Sequence, residues 1–457
     1  MKLFLDWSSY ENAGMGDAYA DIPKQGGDYA KAIAVCIGSH QCEQITAKGV
    51  MCPSYRISNN PGLSPGGRVK ALKNALNTDD EQAFFNPALA EAMNLCVSCK
   101  GCKRECENEV DMALIKAEFL SQQVARQGLP LRQRLWSELP ELLRWQGLGK
   151  LIRLRNSFTW LAKLGETLLG MSAKAALPIP ASKPFNNKQP QSAETVGDKQ
   201  VVLFVDTFNH YFNPAAAQAA QSLLIAAGYQ VSIAKPLLDD QYDRPLCCGR
   251  TYFSNGRLDK ARQKALRTLA ALEAHVQAGR SVIGLEPSCI LSMRDEYLKL
   301  NLGDAARRLA DKVLLLEEFI VREQTAQRWL LPFQAIPGIT KLLLHGHCHQ
   351  KAVGAIKSVR KLLKQIPGLG FEIIESSCCG MAGNFGLEAE HYAHSQAMAE
   401  LALFPALRNT PEALLVSNGF SCQLQILNGG FARPLHLAEL LCQAIPRQEA
   451  HNKTSLD

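Results

Sequence analysis

Four cysteines form the run Cys96-Val97-Ser98-Cys99-Lys100-Gly101-Cys102-Lys103-Arg104-Glu105-Cys106, a C-x2-C-x2-C-x3-C spacing. One short loop with that spacing wraps three thiolates around an iron–sulfur cubane and points the fourth toward a second cluster. Soft, charged sulfur suits such iron; zinc is the competing reading. An earlier group reads Cys36-Ile37-Gly38-Ser39-His40-Gln41-Cys42 and is followed by Cys52-Pro53. It has the same shape, with Ser39 where the second cysteine belongs. If the fourth ligands cross over, one cluster takes Cys52, Cys96, Cys99 and Cys102, and the other takes Cys36, Cys42 and Cys106. The second site is then one thiolate short. A [4Fe–4S] cluster with a non-thiolate ligand, a [3Fe–4S] cluster and no stable cluster all stay open. The Ser39 hydroxyl is hard and costly to ionise. His40 is either that ligand or an exposed loop histidine.

Further on, Cys247-Cys248-Gly249 recurs as Cys378-Cys379-Gly380, and Cys289 recurs as Cys422, each shifted by about 130 residues. This marks a duplicated unit. Cys348 joins the second set, making Cys348, Cys378, Cys379 and Cys422 metal-ligand candidates. Neighbouring cysteines diverge from the backbone, so they suit separate irons or two sites; the bland alternative is a pair of inert buried thiols. Gly380, Gly383 and Gly386 let the backbone approach a bulky group closely. The first unit offers Cys247, Cys248 and Cys289. Asp206 stands roughly where the second unit has Cys348, either as an oxygen ligand or as a cap on the following turn. His345, His347 and His349 alternate along a strand-like run and can converge on zinc. Zinc would leave the Cys-Cys-Gly pairs unexplained.

The elements that must position these residues change character along the chain. Residues 1–30 are a polar lead-in. Residues 31–124 hold the first cysteines among helices, one beginning at Gly67 and one spanning Asp111 to Gln123. Residues 125–199 are a connector: basic, Leu- and Trp-rich helices to about 175, then a Pro-, Asn- and Gln-rich linker over 183–199. From Gln200 short apolar runs alternate with helical segments: Val201–Val205, a helix from Ala215 to Ala227, Tyr229–Ile233, Val282–Leu285, Leu342–His345 and Phe371–Ile374. That alternation predicts α/β units with parallel strands over 200–330 and 331–445, and 446–457 is a polar tail. The expected fold is mixed, an α-helical two-cluster ferredoxin-like domain followed by duplicated α/β Cys-Cys-Gly domains.

Composition narrows the class. The chain has 457 residues, a net charge of +7 and fifteen cysteines, of which Cys442 alone falls outside a recognisable motif. The charge is mild, and no block of Lys and Arg interleaves with aromatics, so nucleic acid is not expected as a partner. The start, Met1-Lys2-Leu3-Phe4-Leu5-Asp6, is no signal peptide, and no apolar run reaches the length of a membrane span. The expectation is a cytoplasmic protein in a reducing compartment, where cysteines bind metal more often than they form disulfides. Within the connector, Arg126, Arg132, Arg134, Arg144, Lys150, Arg153, Arg155 and Lys163 sit among leucines and tryptophans. Such helices lie on an anionic membrane surface, dock a partner, or pack on the protein's own core.

Several motifs occur together and in order: Cys52-Pro53-Ser54-Tyr55-Arg56, the four-cysteine run, Asp206-Thr207-Phe208, Cys247-Cys248-Gly249-Arg250, Glu286-Pro287-Ser288-Cys289, His345-Gly346-His347-Cys348-His349-Gln350-Lys351 and Cys378-Cys379-Gly380-Met381-Ala382-Gly383. In these the chain resembles the iron–sulfur half of bacterial FAD-linked 2-hydroxyacid oxidoreductases, including the iron–sulfur subunits of glycolate oxidase and anaerobic glycerol-3-phosphate dehydrogenase. Its Cys-Cys-Gly units resemble those of heterodisulfide reductase. The resemblance implies electron flow from a reduced flavin through two N-terminal clusters to a quinone or other carrier. No Gly-rich dinucleotide fingerprint stands in a strand–helix context, so no FAD is expected on this chain, and a separate FAD-binding dehydrogenase is the expected partner. The heterodisulfide reductase pattern carries another cysteine ahead of the last one, where this chain has Ser288 and Ser421. A thiol–disulfide or quinone reductase acting at the Cys-Cys-Gly site and a zinc-stabilised scaffold are the rival readings.

Overall fold

The computed structural model describes residues 2–15, 20–45, 49–80, 82–187, 199–237 and 245–446. Most of the expected linker and polar tail lies outside them. Two all-parallel sheets form the α/β part. The first comprises β1 (Gln200–Phe204), β2 (Gln230–Ile233), β3 (Ser281–Gly284) and β4 (Val313–Leu315), in the order β2-β1-β3-β4. The second comprises β5 (Lys341–Leu344), β6 (Gly370–Ile373) and β7 (Leu414–Val416), in the order β6-β5-β7. Each expected strand falls within one residue of its place. β4 and β7 were not anticipated, being three-residue apolar runs beside helices of similar composition.

In both sheets the chain leaves the central strand to one side and returns on the other. Val202 of β1 pairs with Ser232 and Val282, and Leu343 of β5 pairs with Glu372 and Leu415. Such a reversal of strand order opens a crevice beyond the carboxyl ends of the strands. The cysteines of both units lie on the segments that follow those ends.

Strand periodicity divides the core. Val202, Phe204 and Val282 face one way and pack with the helix Leu258–Gln277 and the N-terminal helices. Val201, Leu203 and Ile283 face the other way and share a core with Leu342, Leu344 and Val416 of the second sheet. Leu343 and Leu415 face a third cluster that includes Val50, Leu95, Val97 and Cys99 of the N-terminal domain. The N-terminal domain therefore touches both units.

The lead-in is not a loose segment. Leu5 and Trp7 are buried, and the buried Glu118 carboxylate accepts hydrogen bonds from the Phe4 and Leu5 amides and from Trp7 Nε1. The connector helices Leu148–Ser157 and Thr159–Leu169 pack on each other but leave Leu151, Leu154, Phe158, Trp160, Leu164 and Leu168 exposed. Among the described residues, no helix is long and apolar enough to cross a membrane.

The units are also joined by His436, which is fully buried. Its Nδ1 accepts from the Ala438 amide, and its Nε2 lies 3.3 Å from the Leu285 carbonyl, which it can meet only as a donor. The neutral ring satisfies both contacts, and burial holds its pKa down at about 4. The unfolded chain takes up this proton near pH 6.5 and the folded chain only near pH 4, so this contribution is complete above pH 6.5 and is lost as pH falls toward 4. It is worth at most roughly 3 kcal/mol. Thermal melts at pH 7 and pH 4.5 are expected to show a smaller acid-induced drop for His436→Gln than for the wild type.

Candidate iron–sulfur centre

Cys52 caps the helix Pro53–Ser58, and Cys96 follows the helix Pro87–Asn94. Ser98 and Lys100 take positive φ values of 49° and 61°, which fold the loop tightly before the helix Gly101–Glu105 delivers Cys102. A Cβ on Gly101 would lie 3.0 Å from the Met51 nitrogen, so glycine lets this loop press against Val50–Cys52. The Glu105 carboxylate accepts from the Val50 amide at 2.6 Å and the Met51 amide at 3.0 Å, fastening the two loops. Cys52, Cys96, Cys99 and Cys102 are all buried. Cys102 lies within electrostatic reach of the other three, and burial pushes the Cys99 and Cys102 thiols well above their usual range.

Arg68 tests whether these residues fit a cluster. Its side chain is fully buried and makes no ion pair with a carboxylate among the described residues. It donates to the Ala92 carbonyl at 2.7 Å, to Ser54 Oγ at 2.8 Å and to Cys52 Sγ at 3.6 Å. Burial would lower its pKa; negative charge at Cys96 and Cys52 outweighs that and raises it. Four neutral thiols would leave a buried guanidinium without counter-charge, whereas iron-bound thiolates supply it. The donor set fits a [4Fe–4S] cluster. Arg68 was missed in the sequence, although a charged residue on the same helical face as Leu72, Ala75 and Leu76 was the available signal.

Cys36, Cys42 and Cys106 are half-buried. Gln41 Oε1 accepts from the Glu107 amide at 3.2 Å, tying the first loop to the end of the second. The Gly66 amide donates to Cys42 Sγ at 3.4 Å. Ser39 is exposed. His40 turns to solvent, its side chain 74% exposed and paired with Glu43 at 3.0 Å. His40 thus stands in this structure as an exposed loop histidine.

In the second unit, Cys348 opens the helix Cys348–Ala352, Cys378 and Cys379 follow β6, and Cys422 lies in the first turn of the helix Phe420–Asn428. The four thiols contact one another in the order Cys348, Cys378, Cys379, Cys422. Gly380 has φ +88°, and a Cβ there would fall 2.2 Å from the Ser395 carbonyl. One ring nitrogen of His345 and the sulfurs of Cys379 and Cys422 lie within 4.8 Å of one another, close enough for a single ion or one corner of a cluster. The half-buried Lys351 donates to the Ser376 carbonyl and Oγ and faces these thiols; desolvation lowers its pKa and the thiols oppose that. It stands to this site as Arg68 stands to the first.

The three histidines do not converge, because the strand ends at Leu344 and their backbone follows a loop and then a helix. His345 faces the sulfurs. His347 Nδ1 accepts from the His349 amide as a helix cap, and His349 Nε2 lies 3.1 Å from the Ser98 carbonyl in the first cysteine loop. That contact, with the Ser377 hydroxyl donating to the Val50 carbonyl, sets Cys99 beside Cys348 and Cys378.

In the first unit Cys247, Cys248 and Cys289 form a similar buried chain, with Gly249 at φ +85°. The cap of the helix Thr207–Tyr211 is Asp206, which accepts from the Phe208 and Asn209 amides and from Asn209 Nδ2. It matches the His347 cap of the second unit. Thr207, hydrogen-bonded to Cys247, opens its helix as Cys348 opens its own, and Asp206 is the turn cap. Burial, with Asp206 nearby, holds the Glu286 carboxyl up at about 7, and its Oε2 accepts from the Phe420 amide of the other unit at 2.7 Å.

With this geometry in place, comparison with known proteins gives two family matches. Residues 32–110 match the 4Fe-4S dicluster domain, and residues 342–427 match the Cysteine-rich domain built around Cys-Cys-Gly. The chain thus carries one region that matches a 4Fe-4S dicluster domain and one that matches a Cys-Cys-Gly domain; the latter match covers the second unit only. It is 24% identical over 439 residues to D-2-hydroxyglutarate dehydrogenase of Escherichia coli K12, covering 86% of this chain and 41% of the relative. It is 30% identical over 248 residues to one subunit of the anaerobic glycerol-3-phosphate dehydrogenase of the same organism, covering 54% and 59%. Lactate utilization protein A of Bacillus velezensis is 25% identical over 259 residues, covering 53% of this chain and 98% of the relative. The chain therefore spans about 41% to 59% of the first two of these relatives. No solved structure matches it.

Replacing Arg68 by Met keeps most of the volume and removes the charge. Cluster retention on desalting, read as iron and acid-labile sulfide per chain, is expected to fall roughly 10- to 100-fold in affinity, with Arg68→Lys intermediate.

Proposed function

We propose that the chain is an electron-transfer subunit, receiving electrons from a separate FAD-linked 2-hydroxyacid dehydrogenase and passing them to a quinone or other carrier. Cys52, Cys96, Cys99 and Cys102 would hold a [4Fe–4S] cluster, and Cys36, Cys42 and Cys106 a second cluster open at the Ser39 corner. Cys348, Cys378, Cys379 and Cys422, with His345 as an added ligand, would hold a third iron–sulfur centre or zinc. Cys247, Cys248, Cys289 and Thr207 form a reduced version in a tandem-duplicated first unit. The division at residues 31–124, 125–199, 200–330 and 331–445 follows from this reading.

The observation that carries the proposal is the packing of the first cysteine loop on the second unit, where His349 Nε2 meets the Ser98 carbonyl and the Ser377 hydroxyl donates to the Val50 carbonyl, so that Cys99 and Cys348 share one core cluster within electrostatic reach of each other. When bound, the clusters supply one-electron carriers. The protein's residues exclude water, balance thiolate charge with Arg68 and Lys351, and direct amides at sulfur. Gly101 donates to Cys99 at 3.5 Å and Gly380 to Cys378 at 3.4 Å. Hydrogen bonds to sulfur and burial are the levers that set a cluster's potential.

The exposed apolar face of the connector, with Lys150, Arg153 and Lys163 exposed beside it, supports peripheral contact with an anionic membrane surface. Arg155 belongs elsewhere: it donates to the Ser172 and Ala175 carbonyls and serves the fold.

Anaerobic purification is expected to yield iron and sulfide for at least two clusters, with paramagnetic signals that change on dithionite reduction. Zinc without sulfide would leave the scaffold reading instead. Sedimentation with anionic vesicles is expected for the wild type and to weaken on Lys150→Glu with Arg153→Glu; equal sedimentation would remove the membrane contact.

A further inference from the structure

A cavity of about 1280 Å3 lies at the carboxyl ends of β1 and β2, lined by Val205 after the first strand and by Ala234 and Lys235 after the second. Open parallel sheets place their ligands at such ends. The connector supplies the other walls, through Trp145, the first turns of the helix Leu148–Ser157 and Phe185. Among the described residues no cysteine lines this space, so it is separate from the sulfur sites.

Its charge is one-sided. Arg144, Lys150 and Arg153 reach it from the connector and Lys235 from the turn after β2, and no aspartate or glutamate lines it among the described residues. Nearby cations are engaged: Arg257 and Lys264 meet Glu138 and Glu141, and Arg155, on the same helix as Lys150, is held by carbonyls. The cations around the cavity make no ion pair and no side-chain hydrogen bond among the described residues. Like charges gathered around one concave space raise its potential and draw an anion into it.

Tyr211 adds a neutral donor. It lines the cavity, is only 8% exposed and lies within electrostatic reach of Arg144, yet its hydroxyl has no hydrogen-bond partner among the described residues. Burial raises its pKa, which keeps the hydroxyl protonated. At the rim the Trp145 indole lies over Gly147, where a Cβ would fall 2.7 Å from the ring. A single carboxylate would leave most of the positive charge unanswered. A phosphate ester carries about −1.5 to −2 near pH 7 and offers three acceptor oxygens.

We propose that this cavity binds a phosphoryl anion, a phosphate ester or diphosphate, with Arg144 and Lys235 as charge partners and the Tyr211 hydroxyl as donor. Two sources carry that group, a soluble organic phosphate and a lipid headgroup. Lys150 neighbours the exposed Leu151 and Leu154 on its helix, so a headgroup held here would leave its chains along the apolar face.

The test uses the full chain, purified anaerobically, with inorganic pyrophosphate as probe. Titration calorimetry is expected to give saturable one-to-one binding to the wild type. Arg144→Gln combined with Lys235→Gln is expected to weaken it by roughly 10-fold. Tyr211→Phe is expected to weaken it by roughly 3-fold with an unchanged melting temperature, since the hydroxyl holds nothing in the fold. Lys163→Gln removes an exposed cation outside the cavity and is expected to bind as the wild type does. Absence of saturable binding, wild-type affinity in the double variant, or equal weakening by Lys163→Gln would each overturn the proposal. A second arm identifies the source, by sedimentation with vesicles of phosphatidylcholine and phosphatidic acid. Sedimentation that pyrophosphate abolishes assigns the site to a headgroup; sedimentation that is absent or unchanged by pyrophosphate assigns it to a soluble phosphate. Neither readout depends on iron content, so this site and the electron-carrier reading can fail independently.

Discussion

The interior of this protein is organised around the balance of buried positive charge by sulfur. Arg68 and Lys351 each lie among cysteines and, among the described residues, form no ion pair with a carboxylate. Burying an ion without a partner costs several kcal/mol, more than one surface contact returns. Neutral thiols cannot supply the partner charge; metal-bound thiolates would. The two cations thus read as part of the cofactor sites, in keeping with the chemistry of the family matches.

Around that balance, three cores are packed so that no part is free-standing. The first sheet gives one face to the N-terminal helices and the other to the second unit, and the second sheet gives its far face back to the N-terminal domain. A buried ion network reinforces the first junction. Lys100 meets Asp295 and Glu296, Arg250 meets Glu296, and Lys103 meets Asp295 and Asp111. At the second junction the contacts are neutral, through His349 and Ser377. The charged junction lies against the unit with fewer cysteines and the neutral one against the unit whose sulfurs neighbour Cys99.

Much of this was legible in the sequence. Cysteine spacing located the N-terminal loops, and short apolar runs between helical segments located five strands to within a residue. What failed did so for local reasons. β4 and β7 are too short to show a period. The three histidines alternate as if on a strand, yet the strand stops at Leu344 and a helix takes over at Cys348. Asp206 stands roughly where the second unit has Cys348, but it is a helix cap, and the residue that opens its helix as Cys348 does is Thr207. Leu5 and Trp7 looked peripheral because their segment is short and polar, and their anchor, Glu118, lies 111 residues beyond Trp7 in the chain. Arg155 was grouped with the surface cations, but its donors are consumed by the Ser172 and Ala175 carbonyls. Long-range partners of this kind leave no periodic trace.

The closure of the first cysteine loop has a consequence for biogenesis. Cys52, Cys96, Cys99 and Cys102 are buried beneath a loop that Glu105 fastens from below and His349 holds from the second unit, some 250 residues later in synthesis. Under the proposed reading iron would have to reach those sulfurs while they are open, since metal delivery and folding are coupled wherever ligands are absent from the unfolded state as a preformed set. The order of assembly is therefore written into the architecture: the N-terminal domain is emerging and accessible to a metal donor long before the segment that seals it has been made.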